Sequence, residues 1–322
     1  MTRYPSRRFS FALSCASIAV TAILTGTAAA GSMGSEPASA VADSSAPALD
    51  LLLNASYHGV GEADSLFTLS DGSWKGSPAA KGAASVPAVT LVRDFRLAGD
   101  LDGDGREDAV VVLAASTGGT GEMSYLAVVA RDGAGSRNVA TAAVGDRVQL
   151  RAGRIEGRRV VLDLVQAGAD DAACCPGDLV TRSWELKSGS LLEGERVVTG
   201  RLSLEALVGA DWILRAWNVG DAAPASPAVS LKLDGGRFVG SSGCNRYFTD
   251  VRPGPMPGDL SVGRIGATRM VCGEAENAVE TRFLQRLAGA RRMQFVAGRL
   301  GLSYAAADGH HGVMLFERRS QP

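Results

Sequence analysis

The sequence predicts a mainly β, α+β protein made of two antiparallel β-rich modules. Three observations carry this. Gly (40) and Pro (12) make up about 16% of the 322 residues, against a usual ~12%, so turns are frequent. Short apolar runs alternate with turn signals at hairpin spacing. Only one long segment, 276–288, has a clear helical period.

The composition also sets limits. With 46% hydrophobic and 21% charged residues, the chain is globular and long enough for one large or two ordinary domains. A formal net charge of −1 provides no bulk positive field for nucleic acid. Only His58, His310 and His311 are available, which excludes a His-rich metal centre. Arg outnumbers Lys heavily, but the Arg residues are scattered, as a GC-rich genome would produce.

Residues 1–30 have the form of a signal peptide. Arg3, Arg7 and Arg8 precede an uncharged apolar stretch, and Ala28-Ala29-Ala30 offers a small-residue cleavage site. Ala38-Ser39-Ala40 is a second such site. The stretch approaches spanning length, but its Ser, Thr, Ala and Gly content makes a weak span. Cys15 follows Ala12-Leu13-Ser14, a loose lipoprotein-type box, yet most of the apolar run lies after it. Export to the periplasm or the extracellular space, with no transmembrane span after cleavage, is therefore expected ahead of lipoprotein anchoring. Cleavage leaves 30 basic against 34 acidic residues, a net charge of −4. Residues 31–47 are rich in Ser, Ala, Gly and Pro and form a flexible linker.

The first module is expected over 48–200. A short helix opens it within 48–57. Phe67-Thr68-Leu69 and Trp74 flank Asp71-Gly72 as a hairpin signal. Segments 89–97, 109–114, 125–130, 148–155, 160–165 and 180–186 are predicted strands. Asp132-Gly133, Glu156-Gly157 and Ser188-Gly189 punctuate them. A boundary is placed near Val198-Thr199-Gly200, and the second module spans 201–320. It begins with a helical turn capped by Ser203. Strands follow at 212–217, 229–233, 237–241 and 260–262. The helix at 276–288 repeats Val279, Phe283 and Leu287 every four residues and ends at Gly289. Strands at 300–304 and 312–317 close the chain.

The strongest chemical motif is Asp100-Leu101-Asp102-Gly103-Asp104-Gly105-Arg106-Glu107-Asp108. Carboxylates at relative positions 1, 3, 5 and 9 of a curled loop, with the Arg106 carbonyl at position 7, form a set of hard oxygens suited to Ca²⁺. Gly105 permits the sharp turn. Val111 stands where an EF-hand has its bidentate Glu, and the flanks are strands. The loop instead resembles the calcium loops of integrin-type propeller blades and dockerins, which implies structural Ca²⁺. A solvated acidic turn is the plain alternative.

After leader cleavage four cysteines remain. An even count in an exported chain suggests disulfides. Pairing Cys244 with Cys272 inside one module is the simplest choice, and that link stabilises by roughly 3 kcal/mol in the chain-entropy model. Cys174 and Cys175 are adjacent, where a bridge is uncommon, and their state is left open. Zinc is disfavoured because paired Cys-x₂-Cys knuckles and nearby His are missing.

Gly243-Cys244-Asn245-Arg246-Tyr247-Phe248 followed by Thr268-Arg269-Met270-Val271-Cys272 resembles the META (HslJ-like) domain. The order of an early Trp212, a hairpin, the two motifs, the helix and two closing strands agrees with it. The sequence departs from the pattern at Thr249, where Gly is usual, at Gly266, and at Pro253, Pro255 and Pro257. The region before 200 is similar to one found upstream of META domains. The resemblance implies a β-rich domain of bacterial envelope proteins linked to stress tolerance and novobiocin resistance, with no established catalytic activity. The expected partner is an envelope protein or a small ligand. Asn245, Arg246, Thr268 and Arg269 are then either structural or a binding motif. The expected function is a non-enzymatic envelope or secreted protein with a structural Ca²⁺ loop. The alternative is a secreted hydrolase or protease-inhibitor-like module using loop residues. Against a hydrolase, His310 and His311 sit in a turn and no Gly-x-Ser-x-Gly elbow or metalloprotease motif occurs.

Overall fold

Alternating apolar residues and glycine turns shape the first half of the chain. The computed structural model describes residues 44–61, 66–78, 85–116, 118 and 121–319. The expected signal peptide, and the linker up to residue 43, lie outside the described residues. A short helix, α1 (Leu49–Leu53), precedes two paired two-residue strands, β1 (Ser56–Tyr57) and β2 (Phe67–Thr68). Five strands then form one antiparallel sheet in chain order: β3 (Ser73–Lys75), β4 (Ala88–Gly99), β5 (Asp108–Ser116), β6 (Met123–Asp132) and β7 (Gly135–Asp146). Four more form a second sheet, again in chain order: β8 (Gln149–Glu156), β9 (Arg159–Gln166), β10 (Asp178–Lys187) and β11 (Ser190–Arg201).

The central strand β5 shows why its sequence is continuously apolar. Val111 and Leu113 pack on one face with Leu52, Tyr57 and Phe67. Val110 and Val112 pack on the other with Leu162, Leu164 and Trp184 of the second sheet. A strand covered on both sides loses its alternation. Burying each large side chain contributes about 1.5–3 kcal/mol. Arg182 ties the two sheets together: it is buried, pairs with Glu193 (2.8 Å) and donates to the Val144 carbonyl (2.5 Å).

The Asp71-Gly72 turn forms, with both residues at positive φ (49° and 78°), and closes a minimal hairpin in which Ser70 and Ser73 exchange both backbone hydrogen bonds (2.9 and 3.1 Å). Beyond that bridge β2 pairs with β1 and β3 pairs with β4. Strands β7 and β11 are additions to the sequence reading. The end of the expected linker is held in place: Ala46 and Pro47 are buried, and Glu107 N–H donates to the Ser44 carbonyl (2.8 Å).

The second half opens with a 3-10 turn, η1 (Leu204–Leu207), then β12 (Asp211–Asn218), β13 (Asp221–Ala222), β14 (Ser230–Asp234) and β15 (Arg237–Ser241). β16 (Arg246–Pro253), β17 (Leu260–Val262) and β18 (Gly266–Ala267) follow. The helix α2 (Glu274–Ala288) leads into β19 (Ala290–Val296), β20 (Arg299–Ala305) and β21 (His311–Arg318). Their order is β17-β16-β15-β14-β12-β21-β20-β19, with β13 beside β12 and β18 beside β16. An Asp259–Arg292 bridge and ion pair (2.7 Å) brings the two ends of this sheet together into a near-barrel. β14 and β15 turn on Gly235-Gly236, both at positive φ (54° and 77°), as a two-residue hairpin requires.

Helix α2 buries Phe283 and Leu287 in the barrel core with Trp212, Trp217 and Phe316. Gly289 ends it at φ −92°, so no left-handed residue is needed there. Its glycine is required by close approach, since a Cβ would overlap the Ala305 backbone. Ser203 precedes η1 without a side-chain cap bond. β11 runs unbroken through residues 198–200, and residues 43–322 cluster as one compact unit. Among the described residues no helix is long and apolar enough to cross a membrane.

Candidate functional site

Two constellations gather the residues singled out from the sequence. The first is the connection between β4 and β5. Gly99 pairs with Asp108, so residues 100–107 form the hairpin loop. Leu101 anchors it in the sandwich core, 1% exposed. Asp100 accepts from Gly103 N–H (2.6 Å) and Gly105 N–H (3.1 Å), Asp102 from Asp104 N–H (3.0 Å), and Asp104 from Arg106 N–H (2.8 Å). These local turns curl the backbone and orient the carboxylates.

Oxygens of Asp100, Asp102 and Asp108 lie within 4.8 Å of one another. Two oxygens held at 2.3–2.6 Å from one Ca²⁺ are at most about 5 Å apart, so the three fit a single ion. Asp104 stands outside this group, and Arg106 enters the loop through its backbone. Arg158, which sequence reasoning missed, lies across Gly103 and donates from Nε to the Leu101 carbonyl (3.1 Å).

Asp108 is buried at the base of the loop, where Leu101 N–H donates to it (3.0 Å). Burial pushes its carboxyl up to about 6; Asp102, Asp104 and Asp100 add repulsion, and the Leu101 hydrogen bond opposes them. The folded chain therefore keeps a proton that the unfolded chain releases near pH 3.9. Without a bound cation, this group's contribution to stability falls as pH rises from about 4 to about 6. Melting of chelated protein should show this loss, and Asp108→Asn should abolish it. A wild-type and variant pair with parallel pH profiles would refute the assignment.

The second constellation joins the two motifs of the C-terminal half. Asn245 is buried, and its Oδ1 accepts from Thr268 Oγ1 and Met270 N–H, both 2.7 Å away. Its Nδ2 donates to Glu280 Oε1 (3.0 Å). Glu280, on α2, also accepts from Asn245 N–H (2.8 Å) and from the buried Ser242 hydroxyl. Burial pushes the Glu280 carboxyl up, but the Ser242 and Asn245 donors together outweigh it and hold it below its ordinary range. The Cys244–Cys272 disulfide, with Cα atoms 6.0 Å apart, fastens the same segments.

Arg246, Thr268 and Arg269 are exposed. Arg246 and Phe248 share the outer face of β16, and the Phe248 ring covers Gly266. Phe248 is 54% exposed, Met270 61% and Val271 101%. Thr249 points inward, 1% exposed, and its hydroxyl donates to the Gly263 carbonyl (3.1 Å). That bond gives Thr249 a place a glycine could not fill.

The adjacent cysteines are bridged as Cys174–Cys175. Cys175 is buried, with both terminal nitrogens of Arg292 3.1 Å from its sulfur. His310 faces Asp308 (3.1 Å) within one exposed turn, and His311 Nδ1 lies against the Gly309 carbonyl (3.5 Å).

The family model described as META domain matches residues 205–320. No curated protein matches the chain. A solved NMR structure of a protein from Burkholderia xenovorans is 25% identical, over 36% of this chain and 86% of that chain, with a TM-score of 0.29. The family match covers residues 205–320, and residues 44–204 lie outside it.

Proposed function

We propose that this is an exported, non-enzymatic binding protein of the META type, with a structural Ca²⁺ in its acidic loop. One observation supports the binding role most directly. The inward polar side chains of the two motifs are taken up by a closed hydrogen-bonded clasp, while Arg246, Phe248, Arg269, Met270 and Val271 face solvent. Exposed apolar side chains flanked by guanidinium groups suit an acidic, partly apolar protein surface. The envelope setting and a part in stress tolerance follow from the resemblance to META proteins and the leader-like residues 1–30.

The test is site-specific photo-crosslinking in the envelope from position 271. A discrete adduct that Phe248→Asp removes, with melting unchanged, supports the reading. An adduct pattern equal to that from Asp234, on the exposed β14–β15 turn, overturns it.

The loop would hold Ca²⁺ through Asp100, Asp102 and Asp108, with Asp104 and the Arg106 carbonyl completing the oxygen set. The ion would neutralise the crowded carboxylates and fix the β4–β5 turn. At free Ca²⁺ about 100 times its Kd, the folded state gains about 2.7 kcal/mol. Calorimetry in chelator and in Ca²⁺ should show that gain, and Asp102→Ala should remove most of it. An unchanged melting temperature for both proteins would leave the loop as a plain turn.

A further inference from the structure

The two sheets of the N-terminal sandwich pack closely over most of their length, but not at the end facing β19. There a cavity of about 410 Å³ opens between them. Protein cores leave few voids larger than a water molecule, and pockets of 300–1,000 Å³ are typical of small-molecule sites. The inner wall is apolar: Val112 and Ala114 of β5, Leu162 and Leu164 of β9, and Phe295 of β19. These side chains come from three separate sheets, and Phe295 N–H is fixed to Gln149 Oε1 (2.9 Å).

The lip is held in place as well. Cys174 and Pro176 line it, and the Cys174–Cys175 ring is pinned by Arg292, which is itself paired with Asp259. Asp171 accepts from Gly168 N–H (2.7 Å) and Gly177 N–H (2.8 Å), which closes the loop that carries the ring. The wall is therefore preformed, and a ligand entering it need not order a loop.

Two charged side chains line the mouth, Glu122 and Arg147. Asp146 is balanced by Arg147 (2.5 Å) and also accepts from Glu122 N–H (3.1 Å). The Glu122 carboxylate lines the cavity, and among the described residues it has no ion pair or hydrogen bond. We propose that this cavity binds a small apolar organic cation. Its hydrocarbon part lies against Leu162, Leu164 and Phe295, and its ammonium group sits at Glu122. This site is remote in sequence from the exposed META motif residues and does not depend on the reading given to them.

The proposal is tested by titrating the mature chain with octyltrimethylammonium and, separately, octanoate, followed by calorimetry. The cation should saturate one site per chain, with octanoate at least tenfold weaker. Glu122→Gln should weaken the cation about threefold, as fits a solvent-exposed ion pair. Ala114→Trp should fill the cavity and abolish binding. Should that variant fail to fold, Val148→Trp, which also lines the cavity, serves instead. Absence of saturable cation binding, equal affinity for octanoate, or unchanged binding in the filled variant would each overturn the proposal.

Discussion

Replacing Asn245 with alanine is expected to lower the stability of the chain by about 4 kcal/mol. The buried side chain makes part-buried hydrogen bonds to Thr268, Met270 and Glu280. Each bond contributes about 1 kcal/mol net, and more where the partner is charged. Alanine also strands the Glu280 carboxylate, which then keeps only Ser242 and the residue 245 amide. Glu280 adds a pH signature. Its carboxyl is held low in the folded state, so its contribution is present above the unfolded value near 4.3 and is lost as pH falls through the lower folded value. Glu280→Gln should therefore flatten the acid limb of the stability curve. Urea unfolding of both variants at pH 7 and pH 4 checks the pair. A loss under 1 kcal/mol for Asn245→Ala would show that the clasp is dispensable.

Phe283→Ala is expected to cost about 4 kcal/mol, within the usual 3–5 kcal/mol for a buried aromatic. Phe283 is fully buried and meets Tyr247 edge-on at 5.2 Å. Tyr247 lies on β16 between the outward Arg246 and Phe248, so this contact joins α2 to the strand that carries the exposed motif residues. Denaturant unfolding should show an unchanged slope with a lower midpoint. Phe283→Leu should recover more than half of the loss, since most of the cavity is refilled. Equal losses for alanine and leucine would mean that the ring's shape, and not its volume, matters there.

How far the fold could be read from the sequence depended on local signals. Strands with a full apolar run, such as β5 and β9, and turns with glycine at a hairpin position were legible. β7 was not, because Ala140, Ala142 and Ala143 give little contrast between faces. β11 was hidden because it is an edge strand with only Leu191 buried, so nothing in it alternates. β19 begins Ala290-Arg291-Arg292, which looks like a polar helix end until Asp259 is seen beside Arg292. The acidic loop is sequence-local and was readable as a motif, although Asp104 falls outside the cluster of three. The clasp was half readable: Asn245 and Thr268 stood out, but Glu280 reaches them only through the tertiary fold. One signal could have marked it, an acid set between Val279 and Phe283 on the apolar side of a helix.

Strand β19 gives the molecule a shared keystone. Its Phe295 N–H is bonded to Gln149, its Arg292 reaches Cys175, and the following turn bonds Gly298 N–H to the Leu150 carbonyl (2.9 Å). The last third of the chain thus completes the wall of a cavity whose other lining residues lie between Val92 and Pro176. The segment matched by the family model, residues 205–320, is consequently smaller than the compact unit that residues 43–322 form. A fragment cut at residue 200 would uncover the side of β19 that meets β8 and lose the Cys175 contact of Arg292, while the sandwich left behind would lose the Phe295 wall of that cavity.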